Sequence, residues 1–347
     1  MIAMTNLAHS AFEARLNTGV LNLWYPVAPS WMVANAPVGL TRLGERIALW
    51  RDADGAVHAI EDRCPHRGAR LSMGWNVGSR LACWYHGVEV DAEGRMAAVP
   101  AIGRCEAEKR ARNKSYPVIE RAGAIFLWFG TPGIEPEPLL LPDELNGGDW
   151  EAILCTAHWN CNYRYAAENV MDPMHGAYLH AISHSMAEGD KKAVMRARAT
   201  QNGFIFEKTD QAGINFDWTE FGATGTWWQR LAIPYRKNAG PGGSFYIVGI
   251  VTPVDETSCR VFFWRCRKVQ GWQRDAWKFL YRARLEGLHW DVLEQDRMIL
   301  EGMLDDARDN EALYAHDAGL VRLRRLMEAE ARKQVEVEAQ APVAEPA

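Results

Sequence analysis

The stretch CPHRGARLSMGWNVGSRLACWYHG, residues 64–87, decides how the rest of this 347-residue sequence is interpreted. It contains two Cys–His pairs, Cys64-x-His66 and Cys83-x-x-His86, separated by sixteen residues. Two thiolates and two imidazoles can bind one zinc ion tetrahedrally or can hold an iron–sulfur cluster. The spacing of the pairs alone leaves both kinds of site open.

The order of the ligands favours the cluster. Each loop carries one Cys and one His, so that both Cys residues can bind one iron and both His residues the other, as in a Rieske [2Fe–2S] centre. Pro65 and the glycines at positions 68, 74, 78 and 87 suit a backbone that packs against sulfides and donates N–H groups to them. We therefore expect a [2Fe–2S] cluster rather than a structural zinc.

Composition excludes several classes of function. The net charge is −5, which argues against nucleic-acid binding because that function needs a concentrated basic surface. No apolar run reaches the roughly 18 residues of a membrane span, and residues 1–19 lack the apolar stretch of a signal peptide. We expect a cytoplasmic protein. Seven scattered cysteines favour metal ligands and buried thiols over disulfides, with structural roles for the following five: Cys105, Cys155, Cys161, Cys259 and Cys266.

The chain divides into an N-terminal segment, two domains and a tail. After residues 1–20, short alternating strands with tight turns predict an all-β domain over residues 21–135. A Pro-rich stretch marks the boundary to a second domain, residues 136–333, in which a helical segment precedes five strands and two further helices. Residues 334–347 lack apolar periodicity and predict a disordered tail. The fold class is therefore α+β.

A second group of possible metal ligands lies in the segment ENVMDPMHGAYLH, which contains His175 and His180. On a regular helix, residues five apart are separated by about 140°, so both can reach one ion only if the helix is broken or distorted. Pro173 and Gly176 are local reasons for such irregularity. His184 follows four residues after His180 and is not excluded by spacing.

A carboxylate to complete this second site is found on the helix LEGLHWDVLEQDRMILEGML. Asp296 lies in the middle of its apolar stripe, where an ionised group is costly unless it is paired or bound to a metal. A buried ion pair is the alternative, but two His and one carboxylate form the usual ligand set of non-heme Fe(II). The neighbouring acids Asp291, Glu294 and Glu301 project away from the stripe and are expected to be solvated.

Aromatic residues on the strands of the second domain suggest a pocket for a planar apolar substrate. We expect Trp218, Trp228 and Phe245 to contribute to it. Arg230 and Arg236 are candidates to bind a substrate carboxylate, with surface charge as the alternative.

Both motifs resemble those of the Rieske non-heme iron oxygenases. The loops CPHRGA and CWYHG resemble the Rieske signature of that family, although Val88 stands where many relatives carry Trp. The pattern N-x-x-D-x-x-H-x-x-x-x-H, a signature of the catalytic domain, is matched by Asn169, Asp172, His175 and His180. The motifs occur in the expected order, and the likeness covers roughly residues 20–330.

The resemblance implies specific roles for these residues. Cys64 and Cys83 would bind the inner iron of the cluster, and His66 and His86 the outer iron. His175, His180 and Asp296 would bind a mononuclear Fe(II), with Asn169 nearby. The family assembles as a trimer in which Asp172 would connect His175 to His86 of the partner subunit. The catalytic domain would have a helix-grip fold, an antiparallel sheet wrapped around a long helix.

The implied function is that of a terminal oxygenase. Such proteins use O2 and electrons from NAD(P)H, delivered by a separate reductase and in some systems a ferredoxin, to hydroxylate or dealkylate a small aromatic substrate, such as an aromatic carboxylate or an aryl ether. No Gly-rich dinucleotide motif is found in this sequence, which fits a separate reductase. The single-chain architecture resembles the branch of phthalate dioxygenase, vanillate O-demethylase and dicamba O-demethylase. The alternatives are a Rieske electron-transfer protein without oxygenase activity and a zinc-stapled ligand-binding protein.

Overall fold

The computed structural model describes residues 11–103, 112–182, 191–213, 216–233, 244–304 and 306–340. An N-terminal all-β domain is followed by a second domain built on one large antiparallel sheet with helices, as expected for the α+β class.

Ten strands form the N-terminal domain: β1 Leu23–Pro29, β2 Val38–Arg42, β3 Glu45–Arg51, β4 Val57–Glu61, β5 Trp75–Asn76, β6 Arg80–Ala82, β7 Glu89–Asp91, β8 Met96–Ala98, β9 Val118–Arg121 and β10 Ala124–Phe129. They make three antiparallel sheets, in the orders β1-β10-β9, β2-β3-β4 and β5-β6-β7-β8. The turns at Asp54-Gly55 and Glu93-Gly94 join β3 to β4 and β7 to β8 as hairpins, in line with the tight turns expected of this all-β domain. Gly55 and Gly94 both have positive φ, the conformation for which a turn selects glycine.

Seven strands form the second domain: β11 Trp150–Trp159, β12 Met195–Ala199, β13 Gly203–Lys208, β14 Trp218–Thr224, β15 Thr226–Ile233, β16 Phe245–Pro253 and β17 Cys259–Lys268. Their order in the sheet is β11-β17-β16-β15-β14-β13-β12, with every pair antiparallel. The five strands β13–β17 were predicted, whereas β11 and β12 were not. Both missed strands lie at the edges of the sheet.

The helices are α1 (residues 11–18), α2 Tyr163–Val170, α3 Gly176–Leu179, α4 Trp272–Leu280, α5 Glu286–Glu301, α6 Ala307–Asn310 and α7 Ala318–Gln340. A π-helical turn, Tyr281–Leu285, joins α4 to α5 into one long helical unit. Short 3-10 helices occur at Ser30–Met32, Leu71–Met73, Asp143–Leu145 and Ala315–Asp317. Within the described part of the chain, no helix is both long enough and apolar enough to cross a membrane.

The two faces of the large sheet are covered by different elements. Side chains at odd-numbered positions of β15, β16 and β17, such as Leu231 and Phe263, join the main core together with residues of α2, α4 and α5. Even-numbered positions, such as Trp228 and Trp264, pack against Trp24 of β1 and against residues of β10. Because strand side chains alternate, each position on these strands belongs to one face only.

The C-terminal helix corrects the predicted start of the tail. Residues 334–340 are helical, and Gln334 is 2% exposed. Its side-chain amide donates to the carbonyl of Leu21 (2.7 Å) and accepts from the N–H of the same residue (2.8 Å). The prediction failed because it relied on apolar periodicity, whereas this end of the helix is anchored by a polar residue. Residues 341–347 lie outside the described residues.

The predicted helical segment around the two histidines is divided. Helix α2 ends at Val170, a turn follows, and the single-turn α3 separates His175 from His180. The sequence predicted an interruption of the helix between the two histidines. In the structure the interruption lies before His175. The buried cysteines Cys155, Cys161, Cys259 and Cys266 are free thiols, and Cys105 lies outside the described residues.

Candidate metal centres

The two Cys–His loops of the N-terminal domain have the same backbone geometry. The N–H of Cys64 donates to the carbonyl of Ala69 (2.6 Å), and the N–H of Gly68 donates to the carbonyl of Cys64 (2.8 Å). In the same way, the N–H of Cys83 donates to the carbonyl of Val88, and the N–H of Gly87 donates to the carbonyl of Cys83, both at 2.8 Å. Gly68 and Gly87 both have positive φ, at 76° and 70°. Two equivalent loops with equivalent glycines present one Cys and one His each.

Burial separates the cysteines of these loops from the histidines. Cys64 and Cys83 are buried within the small core of this domain, while His66 and His86 are exposed at its surface. The two imidazole rings lie 4.8 Å apart, centroid to centroid. Burial raises the pKa of the Cys64 thiol, but the backbone N–H groups of His66 and Arg67 are directed at its sulfur and oppose that shift. N–H groups that stabilise a thiolate equally stabilise a cluster sulfur.

These residues fit a two-iron cluster better than a single ion. A zinc site needs its four ligand atoms around one point. Among the described His, Cys, Asp and Glu residues, the only group of three or more whose ligand atoms are that close is the one in the second domain. Buried cysteines and exposed histidines fit a [2Fe–2S] unit with an inner and an outer iron.

The structure brings together the three residues predicted to bind the mononuclear metal. His175 and His180 are the residues immediately before and after α3, and Asp296 is on the inner face of α5. Their ligand atoms all lie within 4.8 Å of one another. His180 Nε2 is 3.3 Å and His175 Nε2 is 3.6 Å from Asp296 Oδ1.

The spacing of these ligand atoms is compatible with one metal ion bound between them. Ligand atoms that lie about 2.1 Å from an ion at right angles to each other are about 3.0 Å apart. The two Nε2 atoms lie 3.3 and 3.6 Å from Asp296 Oδ1, close to that separation. His180 Nε2 is buried without a hydrogen-bond partner, as expected of a nitrogen that binds a cation. Burial acts to lower the pKa of His180, but the Asp296 carboxylate outweighs it and the pKa is raised. The negative charge of Asp296, which favours a proton on His180, also favours a metal cation at this position.

Two amide side chains orient the metal-binding groups. Gln295 Oε1 lies 2.8 Å from His180 Nδ1, so Nδ1 carries the proton and donates to it, which leaves the Nε2 lone pair toward Asp296. Asn169 Nδ2 donates to Asp296 Oδ1 at 3.0 Å. Asn169 was predicted to lie near this site from its motif, whereas nothing in the sequence pattern marked Gln295.

Asp172 lies at the edge of the site. Its Oδ1 accepts the N–H of Met174 at 2.7 Å, which closes a local turn. Oδ2 is directed toward His175 Nδ1 at 3.9 Å, and that nitrogen is buried without a hydrogen-bond partner. Asp172 is 38% exposed, so one oxygen remains accessible from outside the chain.

The three residues line a cavity of about 40 Å³. Besides them, its wall consists of Asn169, Val170, Phe216, Leu231, Ile247, Phe263, Arg265, Val292 and Leu293. Such a volume holds a metal ion and a few waters, while pockets for small molecules are several times larger. A ring-sized molecule therefore enters only when side chains of the wall move.

Three of the predicted substrate contacts are wrong. Trp228 packs in the core between the sheet and the N-terminal domain, and Arg230 forms ion pairs with Glu144 (3.0 Å) and Glu220 (2.6 Å) on that same face. Trp218 alternates in phase with Glu220, so its side chain also points away from the histidines.

The other substrate predictions have different outcomes. Phe245 is on the correct face, two residues before Ile247 of the cavity wall, but it packs against Trp277 and His289. Arg236 and His184 lie outside the described residues. Arg265 was not predicted from the sequence, but it does line the cavity. The sequence could have indicated it, because Arg265 follows Val261 and Phe263 at every second position of a buried strand and therefore lies on the same face as they do.

Comparison with known proteins matches both domains. The Rieske [2Fe-2S] domain family matches residues 23–117, and the vanillate O-demethylase oxygenase C-terminal domain family matches residues 159–333. The vanillate O-demethylase oxygenase subunit of Pseudomonas sp. (strain HR199 / DSM 7063) is 35% identical over 178 residues, 50% of this chain and 48% of the relative. The dicamba O-demethylase oxygenase component of Stenotrophomonas maltophilia is 36% identical over 165 residues, 47% of this chain and 48% of the relative. The matched part of the chain thus spans about half the length of these curated relatives.

Solved structures share the fold over almost the whole chain. Dicamba monooxygenase bound to dicamba has a TM-score of 0.72 at 24% identity, covering 92% of this chain and 98% of that one. The oxygenase in its reduced complex with ferredoxin in carbazole 1,9a-dioxygenase has a TM-score of 0.73 at 23% identity, covering 96% and 95%. At such identities the likeness establishes the fold and nothing finer.

Proposed function

Because the chain belongs to the Rieske-type oxygenases with a vanillate O-demethylase oxygenase C-terminal domain, we propose that it is the oxygenase component of a multi-protein enzyme. It hydroxylates or oxidatively dealkylates a small aromatic substrate, with O2 as co-substrate. Electrons come from NAD(P)H through a separate reductase, with or without a ferredoxin. The observation that carries this proposal is the close group of two histidines and one carboxylate, lining a cavity in a domain distinct from the Cys–His loops.

The residues divide between two metal centres. We assign Cys64, Cys83, His66 and His86 to a [2Fe–2S] cluster, and His175, His180 and Asp296 to a mononuclear Fe(II). When bound, the cluster supplies single electrons and the iron activates O2. Gln295 holds the His180 ring in the tautomer that leaves Nε2 free, and Asn169 orients the carboxylate of Asp296. Apolar side chains such as Phe216, Leu231 and Ile247 form much of the cavity wall around these groups.

The relatives favour one reaction within this range. The two described above are named as O-demethylase oxygenase components, for vanillate and for dicamba. Oxidative removal of a methyl group from an aryl ether is therefore the reaction to test first. Ring hydroxylation remains the second outcome of the same substrate screen.

We further propose that the chain works as a homotrimer in which electrons cross between subunits. His66 and His86 are at the surface, and Trp84 of the second loop is also exposed, so the outer iron would face a neighbour. Asp172 has an accessible oxygen and lies beside the unpartnered Nδ1 of His175. It can therefore connect His175 to a cluster histidine of the next subunit. The cytoplasmic location stays a prediction from the sequence.

The experiment that tests the proposal is an absorption spectrum with iron and acid-labile sulfide analysis on anaerobically purified protein. We expect Rieske-type bands with about three irons and two sulfides per chain. The His175→Ala variant should keep the spectrum and the sulfide, lose about one iron per chain and lose substrate-dependent O2 uptake. Zinc without sulfide in the wild-type protein would refute both centres, and loss of the cluster in His175→Ala would refute their independence.

A further inference from the structure

The cavity of the proposed iron site contains a buried cation that has no role in the proposed metal chemistry. Arg265 is on β17, is 2% exposed, and lines the cavity together with His175, His180 and Asp296. We propose that Arg265 binds an anionic group of the substrate, so that the aromatic compound is an acid, carrying a carboxylate or a sulfonate. This inference rests on the proposed function and names the substrate class within it.

The first support is that two of the three guanidinium nitrogens of Arg265 are buried without a polar partner. Neither Nε nor Nη1 of Arg265 has a hydrogen-bond partner, although both atoms are fully buried. The centroid of the Phe263 ring lies 5.5 Å from the guanidinium carbon. A buried charge without a partner costs several kcal/mol, so a position that retains one is expected to serve a ligand.

The second support is the charge balance of the cavity. Asp296 is the only carboxylate among the residues that form its described wall, and it is committed to the two histidines and Asn169. Tyr281 is near Arg265, but burial raises the pKa of its phenol, so it stays neutral and cannot balance the charge. A divalent metal ion would add further positive charge. An anion from outside the chain is what this cavity lacks.

The third support is the placement of Arg265 on the strand. It pairs across the sheet with Ile247, which is another residue of the cavity wall, and it alternates in phase with Phe263. A planar guanidinium on this wall can present Nη2 together with Nε, or Nη2 together with Nη1, to the two oxygens of a carboxylate or sulfonate. An aromatic acid held in this way has its ring between the guanidinium and the metal-binding residues.

Arg230, the carboxylate clamp suggested by the sequence, cannot serve this purpose. Its guanidinium is already paired with Glu144 and Glu220, on the opposite face of the sheet. Arg267 is also buried on β17, but its guanidinium carbon lies 5.3 Å from the centre of the Trp277 ring and it is not part of the cavity wall. It therefore provides a matched control for the loss of a buried arginine.

The experiment measures binding with no turnover, by anaerobic calorimetric titration of the full chain with its metals in place. The probes are benzoate and toluene-4-sulfonate, each compared with its neutral amide, benzamide and toluene-4-sulfonamide. We expect at least one acid to bind about tenfold or more tightly than its amide to the wild-type protein. Arg265→Met should weaken binding of that acid by about 10- to 100-fold and leave the amide unchanged.

Two further variants separate binding from structure. Arg265→Lys keeps the charge but loses the two-pronged geometry, so its preference for the acid should be intermediate. Arg267→Met should keep the wild-type preference. Arg265→Met should also melt at or above the wild-type temperature, since it replaces an unpaired buried charge with an apolar side chain. A structural role for Arg265 predicts the opposite shift.

The results distinguish this inference from the proposed function. Equal affinity for acids and amides in the wild-type protein, or an acid preference that survives in Arg265→Met, would overturn the role of Arg265. If that happened in a protein that contains both metal centres and oxidises a neutral aromatic compound, the proposed function would stand. If instead the protein contained no iron but preferred acids in a way that depends on Arg265, the role of Arg265 would stand and the proposed function would be refuted.

Discussion

The tautomer of His180 should depend on Gln295, and replacing Gln295 by Leu tests this directly. His180 is 0% exposed, so water cannot replace the lost acceptor at Nδ1. The imidazole can then move its proton to Nε2, which lies 3.3 Å from Asp296 Oδ1 and would donate to it. The nitrogen that should bind iron would instead be protonated and hydrogen-bonded to another ligand.

The expected loss of iron affinity follows from this competition. A metal ion must now break the Nε2–H to carboxylate bond and leave Nδ1–H unsatisfied, and a buried group without its partner costs about 1–3 kcal/mol. This corresponds to a weakening of Fe(II) affinity by about 10- to 100-fold, the range found for residues that orient metal ligands. The assay is anaerobic competition between the protein and an Fe(II) chelator. The visible absorbance of the cluster serves as an internal measure of protein concentration.

Two control variants make the result specific to Gln295. Gln295→Glu keeps the acceptor and adds negative charge, so its Fe(II) affinity should equal or exceed that of the wild type. Gln229→Leu removes a buried glutamine that donates to the carbonyl of Ala167 at 2.6 Å, and it should leave the affinity unchanged. Wild-type affinity in Gln295→Leu, or equal losses in Gln295→Leu and Gln295→Glu, would refute the reasoning.

Three further predictions concern electron transfer, acid stability and the C-terminal helix. Asp172→Asn should keep both metal centres but slow electron transfer from cluster to iron by about tenfold or more, measured as cluster reoxidation in a single turnover; a near-normal rate would exclude the bridging role. The hydrogen bond from Arg324 lowers the pKa of Glu311. This carboxylate therefore stabilises the fold at pH values above its unfolded pKa of about 4.3, and its contribution is lost as the pH falls through its folded pKa. In urea titrations Glu311→Gln should therefore be less stable by about 0.5–1 kcal/mol at pH 7, and the difference should vanish well below pH 4; a difference that persists in acid contradicts this. Gln334→Ala should lower the free energy of unfolding by about 1–3 kcal/mol, because it leaves the N–H and carbonyl of Leu21 without partners. Unchanged stability in this variant would mean that Gln334 does not anchor this end of the helix.

Much of the candidate site could be predicted from sequence because its residues occur in short local patterns. Cys64, His66, Cys83 and His86 sit on two tight loops, and the turns and glycines that form such loops are encoded within a few residues. Asp296 was found from a helix periodicity, because a carboxylate on an apolar stripe stands out whatever packs against it. The location of the break in the helix before His175 was less accurately predicted, since Pro173 and Gly176 both permit irregularity and only packing selects between them.

The sequence by itself determined the order of the domains, the central strands of the large sheet and the residues that meet at the candidate iron site. Only the tertiary structure decided which face of each strand meets that site. Period-two alternation divides Trp228 and Arg230 from Leu231, but it does not say which set faces α2 and α5 and which faces the N-terminal domain. That choice depends on contacts between residues far apart in the chain, as do the bond from Gln295 to His180 and the unpaired charge of Arg265. Local patterns record which groups are present, and long-range packing decides what each of them faces.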